Sequence, residues 1–184
     1  MKRLTLLLAA LPLALMAAAP ARAQLAPGAK APLFTVVGAV AGKPINVDLK
    51  AALKKGPVVL YFFPAAFTPG CNAEAHAFAE AIADFNAAGA TVIGMTAGNV
   101  DQLARFSSAM CAGKFAVAAA SPALAASYGV ALKNPDGSAS GYTSRTSYVI
   151  SPDDKIFYVH SDRSAADHVR NTLDAVKRYR ATAR

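Results

Sequence analysis

The chain has two cysteines, Cys71 and Cys111, and the first stands where a thiol can do chemistry. In FFPAAFTPGCNAEAHAF (62–78) it follows a Thr-Pro-Gly turn and opens a run with helical spacing. A cysteine in the first turn of a helix meets the positive end of the macrodipole and free backbone N–H groups. Both favour the thiolate, the reactive form. Thr68, three residues earlier, can turn its hydroxyl toward the sulfur or toward an oxygen approaching it. Pro64 has no N–H to offer and suits the wall of a water-poor pocket. One further cation would complete an electropositive site. The competing reading is passive: two cysteines in an oxidising compartment usually form one structural disulfide. Counting alone favours that disulfide, yet a domain of this size does not need a staple.

The compartment is read from the first residues. Lys2 and Arg3 form a basic start, Leu4 to Ala19 an apolar run, and Ala21-Arg22-Ala23 a small-residue site with cleavage before Gln24. The apolar run is short for a membrane span and contains Pro12. A signal peptide over 1–23 and a single exported domain over 24–184 are therefore expected, with the bacterial periplasm as the location. No membrane association is expected after cleavage. The formal net charge is +8, but three of the cations lie in the leader and the rest are scattered apart from KRYR (177–180). Such a cluster suits the solvated end of a last helix, and no nucleic-acid partner is expected.

The elements that would position Cys71 follow from hydrophobic period. PVVLYFF (57–63) is a continuous apolar run of the kind that becomes a buried central strand. After Cys71 the period changes: Ala75, Phe78, Ala79, Ile82 and Phe85 mark one buried helix face ending near Asn86. ATVIGMT (90–96) reads as a second buried strand. Asn99 is placed to cap the next helix, running to about Cys111 with Val100, Leu103, Phe106 and Met110 inward. Residues 33–47 read as a small hairpin, 48–56 as a short helix, 115–121 as a strand and 122–130 as a short helix. Two strands then flank Pro152-Asp153-Asp154 as a hairpin, and Ser164 opens a final helix to about Ala181. The alternation predicts an α/β fold, a central mixed β-sheet with helices on both faces and an N-terminal β-hairpin extension.

The spacing Pro64, Thr68, Cys71 resembles the peroxiredoxin signature Pro-x-x-x-Thr-x-x-Cys. VVLYFFP before it and TPGCNAEAHAF after it resemble the bacterioferritin-comigratory, or PrxQ, branch of that family. LAPGAKAPLFTV, ATVIGMTAGNVDQLARF and SRTSYVIS are similar to that branch's entry segment, second strand with its helix, and Arg-x-Ser/Thr-aromatic strand. The resemblance implies a thioredoxin-like fold and places Arg145 at the family's active-site arginine. It also implies a thioredoxin-dependent thiol peroxidase of the atypical two-cysteine kind. Such an enzyme reduces hydrogen peroxide and organic hydroperoxides through a Cys71 sulfenic acid, and a thioredoxin-like or other dithiol reductant closes the cycle. A monomer is expected.

Two positions carry more than one reading. Glu74 matches a position where the family often has an acid; it could hold Arg145 or the helix start, or be an ordinary acid favoured near a helix N-terminus. Many PrxQ proteins carry a resolving cysteine five residues after the nucleophile, where this chain has His76. An offset of five turns His76 roughly 140° from Cys71 on a helix, so a Cys–His pair is not expected. Cys111, in FSSAMCAGKFAV, is then similar to the later resolving cysteine of some members; the alternative is a small core residue. His160 and His168 have no partners at ligand spacing, so neither metal nor cofactor is expected. Two other functions compete: a periplasmic thiol–disulfide oxidoreductase acting on protein substrates, and an exported binding domain with a structural Cys71–Cys111 bond. The first usually needs Cys-x-x-Cys, and Thr68 and Glu74 occupy both positions where the second thiol would stand.

Overall fold

Strand β3 (Val58–Phe62) runs through the middle of the molecule with every residue buried. Its side chains alternate between two cores. Val59, Tyr61 and Phe63 face one cluster with Cys71, Phe78 and Phe106. Val58, Leu60 and Phe62 face the other with Leu49, Leu53 and Tyr128. A strand covered on both faces needs no polar alternation, which is why its sequence reads as one apolar run. Each of its larger side chains contributes roughly 1.5–3 kcal/mol by leaving water.

The computed structural model describes residues 24–183, and the expected leader lies outside them. Among the described residues nine strands and five α-helices follow in the order β1 (Thr35–Val40), β2 (Lys43–Asp48), α1 (Leu49–Leu53), β3, α2 (Pro69–Ala87), β4 (Thr91–Thr96), α3 (Leu103–Ala109), β5 (Ala116–Ala119), α4 (Pro122–Ser127), β6 (Ala131–Lys133), β7 (Ala139–Thr143), β8 (Thr146–Ile150), β9 (Ile156–Ser161) and α5 (His168–Thr182). Seven strands form one sheet in the order β2-β1-β5-β4-β3-β8-β9, and β6-β7 stand apart as a small ribbon. β3, β4 and β5 are parallel, whereas β8 lies antiparallel beside β3 and β1 antiparallel beside β5. Residues of α2, α3 and α5 belong to the core on one face; those of α1 and α4 belong to the other. The mixed sheet between two helical layers is the architecture expected, and the N-terminal hairpin extends the main sheet through β1.

Four local details depart from the sequence reading. Asn99 is left-handed (φ 54°) and makes no cap bond; its side chain instead donates to the Ala66 carbonyl at 2.8 Å. A 3₁₀ turn (Val100–Gln102) therefore precedes α3, and Val100 is 43% exposed rather than inward. Cys111 lies just beyond α3, not on it, followed by left-handed Ala112 and Gly113. The last helix begins at His168 rather than Ser164, because Ser164 accepts from the Ala166 N–H in a turn of its own. The β6-β7 ribbon carries no apolar alternation in its exposed residues and had no sequence signal.

Candidate active site

The chain leaves β3 at Phe62 and enters α2 at Pro69, and the loop between is fixed at several backbone atoms. Thr96 donates its hydroxyl to the Pro64 carbonyl at 3.0 Å, and Thr143 donates to that of Phe63 at 2.8 Å. The Ala66 N–H bonds the Gly98 carbonyl, while Asn99 holds the Ala66 carbonyl. Gly98 is required by this closeness, since a Cβ there would meet the Pro64 carbonyl oxygen at 2.6 Å. Phe67 takes a left-handed conformation (φ 61°), costly for a bulky residue and sustained by its surroundings. Its ring meets Phe106 edge-on at 5.3 Å, and the Arg105 guanidinium lies over it at 4.4 Å.

Thr68 is the N-cap residue of α2 by backbone geometry, with Pro69 at the first helical position. Its hydroxyl donates to the Ala65 carbonyl at 3.2 Å rather than capping the helix. The Asn72 N–H bonds the Thr68 carbonyl, while those of Gly70 and Cys71 belong to the first turn, which has no intrahelical acceptor for them. Cys71 and Glu74 extend the buried stripe of Ala75 and Phe78 along the same face, so the helical period that buries the core also turns this thiol and carboxylate inward.

Arg145, between β7 and β8, reaches this face from seventy-four positions away. Its guanidinium is held at every nitrogen. Nε donates to the Arg163 carbonyl at 3.0 Å, Nη1 pairs with Glu74 Oε2, and Nη2 lies 3.5 Å from Cys71 Sγ. Burial opposes the Arg145 charge, but Glu74 and Cys71 outweigh it and hold the group charged. Of the two readings of Glu74, the structure selects the partner of Arg145. Burial raises its carboxyl to about 7 against the pull of Arg145.

A cavity of about 590 Å³ opens beside the pair, with Pro64, Leu132, Arg145, Asp162 and Arg163 in its wall. Pro64 lies in that wall beside charged and polar neighbours. Cys71 itself is 1% exposed and lies behind this wall rather than in it. Cys111 is fully buried in the same core cluster as Cys71, and both are free thiols. Desolvation pushes the Cys111 thiol up to about 12.

His76 is exposed, as its offset required. His168 is fully buried against Glu74, Ser147 and Asp162, although sequence spacing left it without a partner. Burial lowers its pKa from the ordinary 6.5 to about 4. The folded state therefore resists its protonation: its contribution is intact above pH 6.5 and is lost as the pH falls toward 4. The loss is about 3 kcal/mol. Glu74 acts in the opposite sense, its contribution being present below 4.5 and lost as the pH rises toward 7. Urea midpoints of the native chain and of His168→Asn, followed from neutral pH to pH 4, isolate the histidine: the native midpoint falls further. Equal slopes would contradict its buried neutral state.

Among the described residues no helix is long and apolar enough to cross a membrane, and no three His, Cys, Asp or Glu side chains are grouped to hold a metal ion. The model of the AhpC/TSA family matches residues 27–159. A Mycobacterium tuberculosis protein that carries the name peroxiredoxin is 41% identical over 83 residues, 45% of this chain and 50% of that protein. The chloroplastic peroxiredoxin Q of Sedum lineare is 38% identical over 74 residues, 40% of this chain and 38% of the relative. The chain thus spans half or less of the length of these two relatives. The crystal structure of peroxidoxin BcpB from M. tuberculosis superposes with a TM-score of 0.73 at 28% identity, covering 84% of this chain and 98% of that one.

Proposed function

Because the chain belongs to the AhpC/TSA family, as a peroxiredoxin of the bacterioferritin-comigratory or PrxQ type, we propose that it is a thiol peroxidase whose attacking atom is Cys71 Sγ. The observation that carries this assignment is the guanidinium of Arg145, 3.5 Å from that sulfur and immobilised by Glu74 and the Arg163 carbonyl. A cation fixed beside a buried sulfur stabilises the thiolate and the charge that moves onto oxygen during transfer, with no reorganisation at the moment of reaction.

The thiolate attacks one oxygen of a hydroperoxide in line with the O–O bond. The S–O bond forms as the O–O bond breaks, and the leaving oxygen takes up a proton to depart as water or alcohol. The Thr68 hydroxyl donates its own hydrogen to Ala65, so it enters as an acceptor for the peroxide O–H, while Arg145 and the Gly70 and Cys71 N–H groups donate to the oxygens. Pro64 keeps a competing donor out of the wall. Cys71 becomes a sulfenic acid, the reversible first step of thiol oxidation. Cys111 then attacks its sulfur, the S–S bond forms, and the hydroxyl leaves as water. A thioredoxin-like or other dithiol returns both thiols. Hydrogen peroxide and small organic hydroperoxides are the substrates, the periplasm is the location after removal of residues 1–23, and the enzyme acts as a monomer.

Gly70 is a residue whose role sequence reasoning missed. A Cβ there would lie 3.2 Å from Arg145 Nη2, and a guanidinium pinned at its other two nitrogens has little freedom to retreat. Gly70→Ala is expected to slow peroxide reduction by roughly threefold to tenfold through misplacement of that donor, read as the single-turnover rate of the reduced protein. An unchanged rate would show that Arg145 moves freely. The assignment itself is tested by peroxide consumption in the presence of excess dithiol. The native enzyme turns over, and Cys71→Ser does not exceed the uncatalysed background; residual turnover in that variant would move the chemistry elsewhere.

A further inference from the structure

The line from Cys71 through Arg145 to Glu74 does not end at the carboxylate. Glu74 Oε2 takes Arg145, but Oε1 is buried without a hydrogen-bond partner and lies 3.7 Å from His168 Nδ1. The tautomer of His168 follows from its other contacts. Nε2 is 3.1 Å from the Asp162 carbonyl, which can only accept, so Nε2 carries the hydrogen. Nδ1 is then an acceptor, and Ser147 Oγ, 2.8 Å away, donates to it. An ionised Oε1 and the Nδ1 edge would face each other as two electron-rich atoms in a fully buried site, a repulsion that protonation of Oε1 relieves.

The charge balance of the site asks for the same proton. With Cys71 as thiolate, Arg145 positive and Glu74 ionised, the buried group would carry one uncompensated negative charge. A proton on Glu74 Oε1 removes it and still leaves Oε2 to accept from Arg145.

We propose that His168 is a positioning residue of the peroxidatic site: the electron-rich Nδ1 edge of its neutral ring, 3.7 Å from Glu74 Oε1, disfavours negative charge on that oxygen and so keeps it protonated, and this frees the charge of Arg145 for the Cys71 thiolate. The inference rests on the reading of Cys71 as the attacking thiol. Ionisation of Cys71 then breaks the S–H bond and is matched by an O–H bond at Glu74, so the charge of the buried site does not change. The other groups facing the imidazole fit a neutral ring. Arg145 from the β7–β8 loop disfavours an imidazolium, as does His160 on β9, whose ring is 4.5 Å away. The Asp162 carbonyl and charge favour one, and burial outweighs them. On α5 itself, Thr172 bonds the His168 carbonyl and leaves the ring alone.

Two substitutions of similar size separate this role from a structural one. His168→Asn keeps an acceptor near the Nδ1 position and loses the tie to Asp162; His168→Gln reaches toward Asp162 and loses the acceptor near Glu74. Both are read in a Cys111→Ser background, where the ultraviolet thiolate absorbance reports Cys71 alone. His168→Gln is expected to lower the thiolate-to-thiol ratio at neutral pH by about tenfold, with His168→Asn close to the parent. Glu74→Gln, a permanent mimic of the protonated acid, should hold the fraction at or above the parent and abolish the effect of His168→Gln. The proposal is overturned if His168→Asn loses as much as His168→Gln, if the loss persists in Glu74→Gln, or if Glu74→Gln alone lowers the fraction. That last comparison stands even where the histidine variants fail to fold. The readout uses no peroxide, so a Cys71 that ionises as expected but ignores peroxide would sink the peroxidase reading and leave this one intact.

Discussion

Arg145→Lys lowers the single-turnover rate of peroxide reduction by about 10²–10³, the usual effect of losing one preorganised donor to a developing oxyanion, while the fold persists. The expectation comes from how the guanidinium is shared. Three nitrogens serve three partners on two segments: Arg163 after β9, and Glu74 and Cys71 on α2. A planar fork can satisfy them together, whereas an ammonium is a point charge that must choose. Lysine would retain the pairing with Glu74 Oε2, the closer of the two side-chain contacts, and withdraw from the sulfur. Rapid-mixing measurements with the reduced protein check this. A lysine variant within a few fold of native would mean that charge alone suffices and that the fork geometry is incidental.

Cys111→Ser stops catalysis after the first oxidation without slowing it. Cys111 is fully buried, and its thiol, pushed up to about 12, is protonated at neutral pH, so it takes no part in the attack on peroxide. It becomes reactive only when exposed, because sulfur–sulfur bonding needs an approach to about 2 Å and a thiolate to make it. The place where the chain can open is visible. Cys111 follows the last residue of α3, its N–H reaches the Phe106 carbonyl at 3.3 Å, and two left-handed residues come next. With serine there, the native rate of thiol loss should be retained, the Cys71 sulfenic acid should accumulate, and a dithiol should support only slow turnover by attacking it directly. Excess peroxide should then carry Cys71 to the sulfinic acid. Full turnover in Cys111→Ser would assign Cys111 to the core.

How far the site could be read in advance depended on chain distance. Pro64, Thr68 and Cys71 share one strand–turn–helix unit, and a spacing argument suffices because the covalent chain fixes their geometry. The buried faces of β3 and α2 were legible for the same reason, since period decides them. Arg145 came only through family resemblance, as nothing local to β8 says that its side chain crosses to α2. Glu74 was ambiguous because an acid in a first turn satisfies the helix dipole whether or not it also meets an arginine. His168 was read as partnerless because its partners lie on α2, β8 and the loop before α5, which sequence spacing cannot see. Asn99 shows the converse error: a residue well placed to cap its own helix gives its side chain to the Ala66 carbonyl instead. The demand came from the loop around Phe67, where backbone groups leave regular structure and need partners.

The most direct test of the central claim is to mix reduced native protein with one equivalent of hydrogen peroxide, follow thiol loss in time, and map the product by peptide mass. The account predicts loss far faster than that of free cysteine and an intramolecular Cys71–Cys111 disulfide, with Cys71→Ser inert. Loss no faster than free cysteine, or an oxidised product in which Cys71 remains a thiol, would contradict it.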